Sequence, residues 1–422
     1  MTTTILISGG GIAGSTLAYF LGTQGFRVTV VERSRGLRSS GSPVDVRGPA
    51  VDVARRMGIT ARLREAATGA RTLTFVDAAG RRTGRIPMPT GDIELARGEL
   101  SRILTDAARD HADFRFDDAI TALSQNGDKV DVTFERAAPG SFDLVIGADG
   151  LHSAVRRLTF GPEERFVEHM GIFVATLPLP MPVDDPSDIV MYNSPGKAVT
   201  IHPAGGKPLA AFMFRAPMPP GFDHRDTALH KRMLAEAFGG EGWLVPDILQ
   251  WVHTTDDLYF DSVSRVRMPS WSRGRIALVG DAASCVSLFG DGSSSAMAGA
   301  ATLASALSAL SALSALSAVP ALAADRAPTR AGASLGAERS APKDAIDTKD
   351  ARHAKHAIDA KDAIDAKDAA EAFARYEREH RRVTEPKQRG VAQASRLLIP
   401  ATRGGIALRN AAARLASVFR RS

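Results

Sequence analysis

Three glycines near the start of the chain form the pattern G-x-G-x-x-G, at Gly9, Gly11 and Gly14. A short apolar run precedes them, a helix-like segment follows, and a second apolar run ends at Glu32, 18 residues after Gly14. A strand, a glycine turn, a helix and a strand that ends in an acid are the parts of a dinucleotide-binding unit. The glycines let the backbone approach a pyrophosphate, and the helix N-terminus offers free N–H groups to the phosphates. This unit alone leaves NAD and FAD both open. Its predicted ligand-binding residues are Gly9, Gly11, Ile12, Ala13, Gly14 and Glu32.

Three later segments favour FAD over NAD. "LVIGADGLHSAVR" contains Asp149, and "RIALVGDAAS" places Gly280 and Asp281 at the end of a buried strand. A carboxylate at that position accepts hydrogen bonds from sugar hydroxyls. It lies about 250 residues after Glu32, so one ligand would contact distant parts of the sequence, which suits the extended FAD molecule. "FGDGSSSAMAGAATLA" lets backbone N–H groups approach a flat ring, where they favour negative charge on a reduced flavin. The predicted residues of this turn are Gly290, Gly292, Ser293 and Ser294.

Together with "VVER" at the end of the second strand, these segments resemble the class A FAD-dependent monooxygenases, the aromatic hydroxylase family with its tetracycline-modifying members. The resemblance covers residues 1 to about 303 and 370 to about 400. It implies that Glu32 binds the adenosine ribose, that Arg33 lies over the adenine and that Asp281 binds the ribityl or pyrophosphate region.

The resemblance assigns roles to four further residues. Arg97 would begin a helix that reaches the FAD, and Asp45 would be the acid on the loop beside the flavin. Asp149 would support FAD and NAD(P)H together, and Arg38 would meet the nicotinamide cofactor. A surface loop position is an equal alternative for Arg38 and for Arg47.

The same resemblance implies a reaction in two halves. NADPH or NADH binds transiently and reduces FAD, and O2 then forms a C4a-hydroperoxyflavin that oxygenates an aromatic or polycyclic, polyketide-like small molecule. No catalytic side chain is required, because the flavin carries the difficult step. A closed apolar pocket is needed, and residues 166–268 supply apolar side chains such as Phe173, Met191, Phe212 and Phe214. His202 and Tyr192 could activate a phenol or could be ordinary structural residues.

Several alternatives stay open. A flavin-dependent reductase or dehydrogenase of the same fold would not use O2 productively, and a non-catalytic flavoprotein would show no turnover. A flavin halogenase is disfavoured because the chain has no W-x-W-x-I-P stretch. A simple NAD dehydrogenase does not explain the late Gly-Asp pair. The choices between hydroxylation, Baeyer–Villiger insertion and epoxidation, and between NADH and NADPH, also stay open.

Composition limits the classes of partner that the chain is expected to bind. The 422 residues carry a net charge of +6, but the basic residues are scattered and aromatics make up 6%, which does not suit a nucleic-acid surface. The single cysteine, Cys285, excludes an intrachain disulfide and a multi-cysteine metal site, so no metal is expected. No apolar run of membrane-spanning length occurs. We expect a cytoplasmic protein, either a monomer or a weak dimer.

The predicted fold is α/β, with a Rossmann-like FAD-binding domain interleaved with a β-sheet substrate domain and followed by C-terminal helices. The FAD-binding domain would comprise residues 1–70, 97–165 and 270–303, and the substrate domain 71–96 and 166–269. Within these, one helix is expected over 51–67 and one near 226–238. Residues 304–369 read as a low-complexity, alanine-rich insertion, and 370–422 as C-terminal helices. The basic amphipathic tail is expected to pack on the protein's own surface rather than on a membrane.

Overall fold

The computed structural model describes residues 2–36, 42–88, 91–285, 291–323 and 364–419. Two predicted site residues, Arg38 and Gly290, lie outside these ranges. The first of two large sheets has six strands, which are parallel except for one antiparallel strand at an edge. In spatial order they are β17 (Ser272–Arg273), β18 (Ile276–Leu278), β11 (Leu144–Gly147), β1 (Thr4–Ser8), β2 (Arg27–Glu32) and β7 (Asp113–Phe116).

Buried apolar runs explain the centre of this sheet. Ile5, Leu6 and Ile7 of β1 are fully buried, as expected for a parallel strand that is covered on both faces. Val145 of β11 pairs with Ile276 of β18, so the chain returns to this sheet after more than a hundred residues elsewhere, as the sequence predicts. The helices of this half are α1 (Ile12–Thr23), α2 (Pro49–Arg56), α3 (Thr60–Glu65), α4 (Arg97–Ala108), α5 (Ala154–Phe160), α8 (Asp281–Ser284) and α9 (Asp291–Ala323).

The second large sheet has seven strands, which are antiparallel except for the parallel pair β13–β4. In spatial order they are β16 (Tyr259–Val266), β12 (Val167–Pro178), β15 (Leu209–Arg215), β14 (Lys197–His202), β13 (Asp188–Ser194), β4 (Thr72–Val76) and β5 (Arg82–Pro87). One face packs against α6 (Thr227–Phe238) and α7 (Val245–Thr254) through an aromatic core that includes Phe173, Phe212 and Phe214. These three phenylalanines are therefore core residues.

The other face of the seven-stranded sheet meets the end of the chain. Helix α10 (Ala366–Leu398) packs on α9 and delivers Ile399 to this face, and α11 (Arg403–Phe419) packs on β5. Asn410 of α11 donates a hydrogen bond to Thr83 over 2.9 Å, and Ala413 is buried against the sheet. The tail therefore packs on the protein itself, as expected. No helix in the described parts of the chain is long and apolar enough to cross a membrane.

Two small antiparallel sheets complete the fold. Strand β3 (Val44–Val46) pairs with β6 (Ile93–Leu95), and β8 (Ile120–Gln125), β9 (Val130–Phe134) and β10 (Gly140–Phe142) form a three-stranded sheet. The β3–β6 pair lies beside the first turn of α9.

The predicted fold class is confirmed, with differences in detail. The helix expected over 51–67 is two helices, α2 and α3, and residues 57–59 separate them. The helix expected near 226–238 is followed by a second one, α7, which has a proline in its first turn. The domain bounds stay a prediction, and α9 continues across residue 303 with Leu307 buried in the same core as β1.

Candidate functional site

The glycine turn after β1 has the close contacts that its sequence predicts. Gly9 has φ +102°, and a Cβ there would lie 2.5 Å from the carbonyl oxygen of Ala148. A Cβ on Gly14 would lie 1.9 Å from the carbonyl oxygen of Gly9, so the first turn of α1 sits directly on the strand end. A Cβ on Gly11, in contrast, would meet no described atom within 4 Å. The open side of the turn is therefore at Gly11.

This open side fits an anionic group. Helix α1 begins at Ile12 without a side-chain cap and without an acid in its first turn, so no side chain of the helix itself occupies its first N–H groups at the positive dipole end. Ile12 and Ala13 are buried, which leaves the backbone of this turn as the surface that a ligand would touch. A pyrophosphate such as that of FAD suits this cradle.

Glu32 ends β2 beside the glycine turn. One carboxylate oxygen accepts a hydrogen bond from the Gly10 N–H over 2.8 Å, and the other accepts one from the Ser34 N–H over 2.8 Å. The acid is thus fixed next to the phosphate cradle, where a ribose would follow. Arg33 is the next residue and is exposed.

Gly280 and Asp281 lie at the end of β18 and reach the same cradle. A Cβ on Gly280 would lie 2.9 Å from the Cβ of Ala13, so the turn after β18 touches the start of α1. Burial raises the pKa of Asp281, and the positive charge of Arg97 opposes that rise. The structure therefore brings together residues from three distant parts of the sequence that were predicted to touch FAD.

Asp149 has contacts within its own turn. Its carboxylate accepts hydrogen bonds from the Ser153 hydroxyl and from the Val155 N–H, at 3.1 Å for the latter, and burial raises its pKa. These bonds hold the turn between β11 and α5 at the carboxyl edge of the parallel sheet. Its predicted support of FAD and NAD(P)H stays a prediction.

The start of α9 is bound to β3. The hydroxyls of Ser293 and Ser294 donate to the Asp45 carbonyl oxygen over 2.7 and 2.8 Å, and the Arg47 guanidinium lies 2.9 Å from the carboxylate of Asp291. Gly292 lies between them in the first turn of α9. Asp45 belongs to a short strand, whereas the sequence suggested a loop. Arg47 is engaged in this ion pair and is not a free surface arginine.

Asp45 lies among other carboxylates. It is directly opposite Glu94 in the β3–β6 ladder, so both side chains leave the ladder on one face. Burial raises the pKa of Asp45 to about 6, with Glu94, Asp92 and Asp291 adding to the rise and Arg47 opposing it. The carboxyl group of Asp45 therefore titrates closer to neutral pH than an ordinary aspartate does.

Glu94 was not singled out from the sequence, yet it joins the two halves of the molecule. It accepts hydrogen bonds from the Thr68 hydroxyl over 2.6 Å and from Nε2 of His202 over 2.9 Å. Although burial raises the pKa of Glu94, these hydrogen bonds lower it below its ordinary value. The alternation of "DIEL" around a strand was the only available signal, and it does not identify the partner.

The two residues suggested for phenol activation are already engaged. Nδ1 of His202 accepts the Ala204 N–H over 2.9 Å, so its Nε2–H donates to Glu94 and the tautomer is fixed. The Tyr192 hydroxyl donates to Glu241 over 2.8 Å on the aromatic-core side of the sheet. Burial, followed by that hydrogen bond, raises the pKa of Tyr192 to about 12. Neither side chain presents a free base.

Comparisons with known proteins agree with this geometry. The family model described as "FAD binding domain" matches residues 2–318. The chain is 42% identical over 310 residues to uncharacterized protein Rv1260 of Mycobacterium tuberculosis, covering 71% of this chain and 83% of that one. It is 35% identical over 308 residues to a flavin-dependent monooxygenase of Legionella longbeachae, covering 71% and 79% of the two chains.

Similarity extends to solved structures. The crystal structure of tetracycline destructase Tet(51) superposes with a TM-score of 0.74 at 27% identity, covering 99% of this chain and 98% of that chain. The match includes both large sheets and the C-terminal helices, because nearly the whole of each chain is covered. The chain belongs to the FAD-binding family of class A flavoprotein monooxygenases, and it is a flavin-dependent oxidoreductase with FAD as its cofactor.

Proposed function

We propose that this monooxygenase uses NAD(P)H and O2 to transfer one oxygen atom to a flat, electron-rich aromatic or polyketide-like small molecule. The observation that carries the proposal is the 2.9 Å hydrogen bond between His202 and Glu94. It brings one face of the seven-stranded sheet against the β3–β6 pair, beside the residues that suit a flavin. The likeness to a tetracycline destructase supports a polycyclic substrate.

The chain's own residues would hold the cofactor and exclude water. The cradle at Gly9, Gly11 and the start of α1 would hold the pyrophosphate, with Glu32 at the ribose and Asp281 near the ribityl chain. Asp45 and the first turn of α9 would lie beside the flavin ring. The bound FAD, once reduced by NAD(P)H, supplies the reactive oxygen taken from O2.

The polar residues of the chain would position the cofactors and hold protons. The charge of Arg97 opposes the rise that burial causes in the pKa of Asp281, and it would thereby favour a carboxylate that accepts hydrogen bonds from the ribityl hydroxyls. Arg38 stays the predicted contact for NAD(P)H, and Asp149 stays a predicted support for both cofactors. The apolar faces of the sheet would protect the reacting centre from water.

Isotope labelling of the holoenzyme tests this proposal. NADPH and NADH are compared as anaerobic reductants of the bound flavin, and ¹⁸O2 is then supplied with tetracycline and a set of aromatic polyketides. A product carrying one ¹⁸O atom per NAD(P)H consumed supports the proposal. Flavin reduction with release of hydrogen peroxide and no labelled product, across the whole set, would contradict it and favour a reductase.

A further inference from the structure

One row of side chains crosses the face of the seven-stranded sheet that is opposite the aromatic core. The strand registers pair Thr176 with Tyr259 on one side and with Ala211 on the other, and Thr200 pairs with Ala211 and with Met191. Directly paired residues of antiparallel strands point to the same face. We call Tyr259, Thr176, Ala211, Thr200 and Met191, in this order, the threonine row.

The hydroxyl groups of the two threonines in this row lack a hydrogen-bond partner among the described residues. Thr176 is 1% exposed and Thr200 is 8% exposed, and neither hydroxyl oxygen has a partner among the described residues. A buried hydroxyl without a partner destabilises the folded protein. Elsewhere in the same sheet the hydroxyls of Thr72 and Thr74 both donate to Asp188. The fold therefore satisfies some of the hydroxyls of this sheet and leaves these two open.

Both ends of the threonine row meet the nucleotide-binding half. Strand β16 packs against α8, and burial raises the pKa of Tyr259, while the charges of Arg97 and Asp281 also act on it. At the other end, His202 is two residues after Thr200, on the same face, and donates its hydrogen bond to Glu94. Thr176 and Thr200 thus lie between the two places where the sheet touches the predicted flavin-binding residues.

The surroundings of the row are apolar. Ile399, with Leu398, packs on one side next to Met213, and Ala413 packs on another side next to Met191. Ala211 lies between the two threonines, and its side chain is a single methyl group, so little side-chain volume separates them. Two strand spacings separate Thr176 from Thr200, so their hydroxyls are about 9–10 Å apart.

We propose that Thr176 and Thr200 are specificity-determining residues, whose hydroxyls bind two oxygen substituents of the flat polycyclic substrate. This inference rests on the proposed function and names what its substrate must carry. A site that is built to hydrogen-bond polar groups rejects analogues that lack them, because its own polar atoms would stay unpaired. The apolar surroundings then accept the carbon skeleton.

Valine substitutions in the holoenzyme test the inference, with tetracycline as the probe and binding measured by quenching of protein fluorescence. Thr176→Val and Thr200→Val remove a hydroxyl at nearly constant volume. We expect each to raise the Kd and the KM for tetracycline at least fivefold, while thermal unfolding without tetracycline stays unchanged or shifts upward. Thr200→Ser keeps the hydroxyl, so it should retain most of the binding.

Thr159→Val is the matched control, because the Thr159 hydroxyl is also buried without a partner but lies in α5, outside the substrate sheet. It should affect thermal unfolding in the same way as the other two valine variants and leave the Kd and the KM for tetracycline unchanged. Two results would overturn the inference: a Kd within twofold of wild type for both valine variants, or no binding of tetracycline by the wild-type holoenzyme. If the valine variants raise the Kd for tetracycline but the wild-type holoenzyme transfers no ¹⁸O to it, the inference stands and the proposed oxygenation is wrong.

Discussion

Alanine at Gly14 and at Gly11 should separate the packing of α1 from the binding of FAD. At Gly14 the new Cβ would lie 1.9 Å from the Gly9 carbonyl oxygen, whereas an ordinary contact needs 3.4 Å. Helix α1 would therefore have to move by about 1.5 Å from the strand end. Overpacking of this kind costs about 1–3 kcal/mol. With an unfolding entropy of about 2.1 cal/mol/K per residue, the 422 residues give a shift of about 1 °C per kcal/mol, so the flavin-free protein should unfold about 1–3 °C lower than wild type.

Alanine at Gly11 should have the opposite effect: it should weaken FAD binding without lowering stability. The φ of −75° at Gly11 suits any residue, and a Cβ there meets no described atom within 4 Å. Gly11→Ala should therefore leave the flavin-free protein as stable as wild type, or stabilise it by about 0.4–1 kcal/mol through the unfolded state. The added methyl group occupies the approach of the pyrophosphate. We expect the Kd for FAD to rise at least tenfold, which is about 1.4 kcal/mol.

The assay needs flavin-free protein from each variant, thermal unfolding by circular dichroism, and titration with FAD followed by quenching of flavin fluorescence. Gly25→Ala is the control for an alanine substitution at a turn glycine far from the cradle, since it also has open space but carries φ +87°. It should lower stability and leave the Kd for FAD unchanged. Wild-type affinity for FAD in Gly11→Ala would refute the location of the pyrophosphate at the start of α1.

Three further substitutions have outcomes that follow from burial and charge. Arg156→Met should lower the free energy of unfolding by about 1–3 kcal/mol in urea titrations, because the buried Ala282 carbonyl oxygen loses the donor that the guanidinium supplies, while Glu163 keeps its pair with His152. The exposed Arg157→Met should be neutral. Although burial lowers it, hydrogen bonds to Asp261 and Glu163 raise the pKa of His152 to about 9. The stabilising contribution of protonated His152 is therefore complete below pH 6.5 and is lost as the pH rises through 9. His152→Gln should flatten the dependence of the free energy of unfolding on pH in that window. Burial raises the pKa of Asp45 to about 6, so its contribution is full below pH 3.8 and lost by pH 6. Asp45→Asn should make the flavin-free protein more stable than wild type at pH 7, and a less stable variant would contradict this reasoning.

Local motifs predicted the strand-turn-helix unit at the start of the chain well. The spacing of Gly9, Gly11 and Gly14 fixes a strand-turn-helix unit, and the structure contains the close contacts that this unit needs. The end of β18 was also predictable, since a buried apolar run before Gly-Asp is typical of a central parallel strand. In each case the geometry depends on a few neighbouring residues, so the sequence carries it directly.

Pairings between distant strands were not predictable in the same way. The hydrogen bond from His202 to Glu94 joins residues 108 positions apart, and the threonine row depends on four pairings among five strands. Helix α7 was missed because Pro246 suggests a loop, although proline is well tolerated in the first turn of a helix. Side-chain pairs of this kind depend on the whole packing arrangement and leave no periodic signal in the sequence.

The packing of α10 on α9 has a consequence for how this chain tolerates changes in length. His380 of α10 lies against Gly299 of α9, and Ile364, just before α10, is buried in the same core as Leu307. The chain is therefore held in the core on both sides of residues 324–363, at Leu307 and again at Ile364. The entropy of closing a flexible segment grows only logarithmically with its length, by about 0.6 kcal/mol for each doubling. Insertions or deletions between residues 324 and 363 should therefore change the stability of this core only slightly.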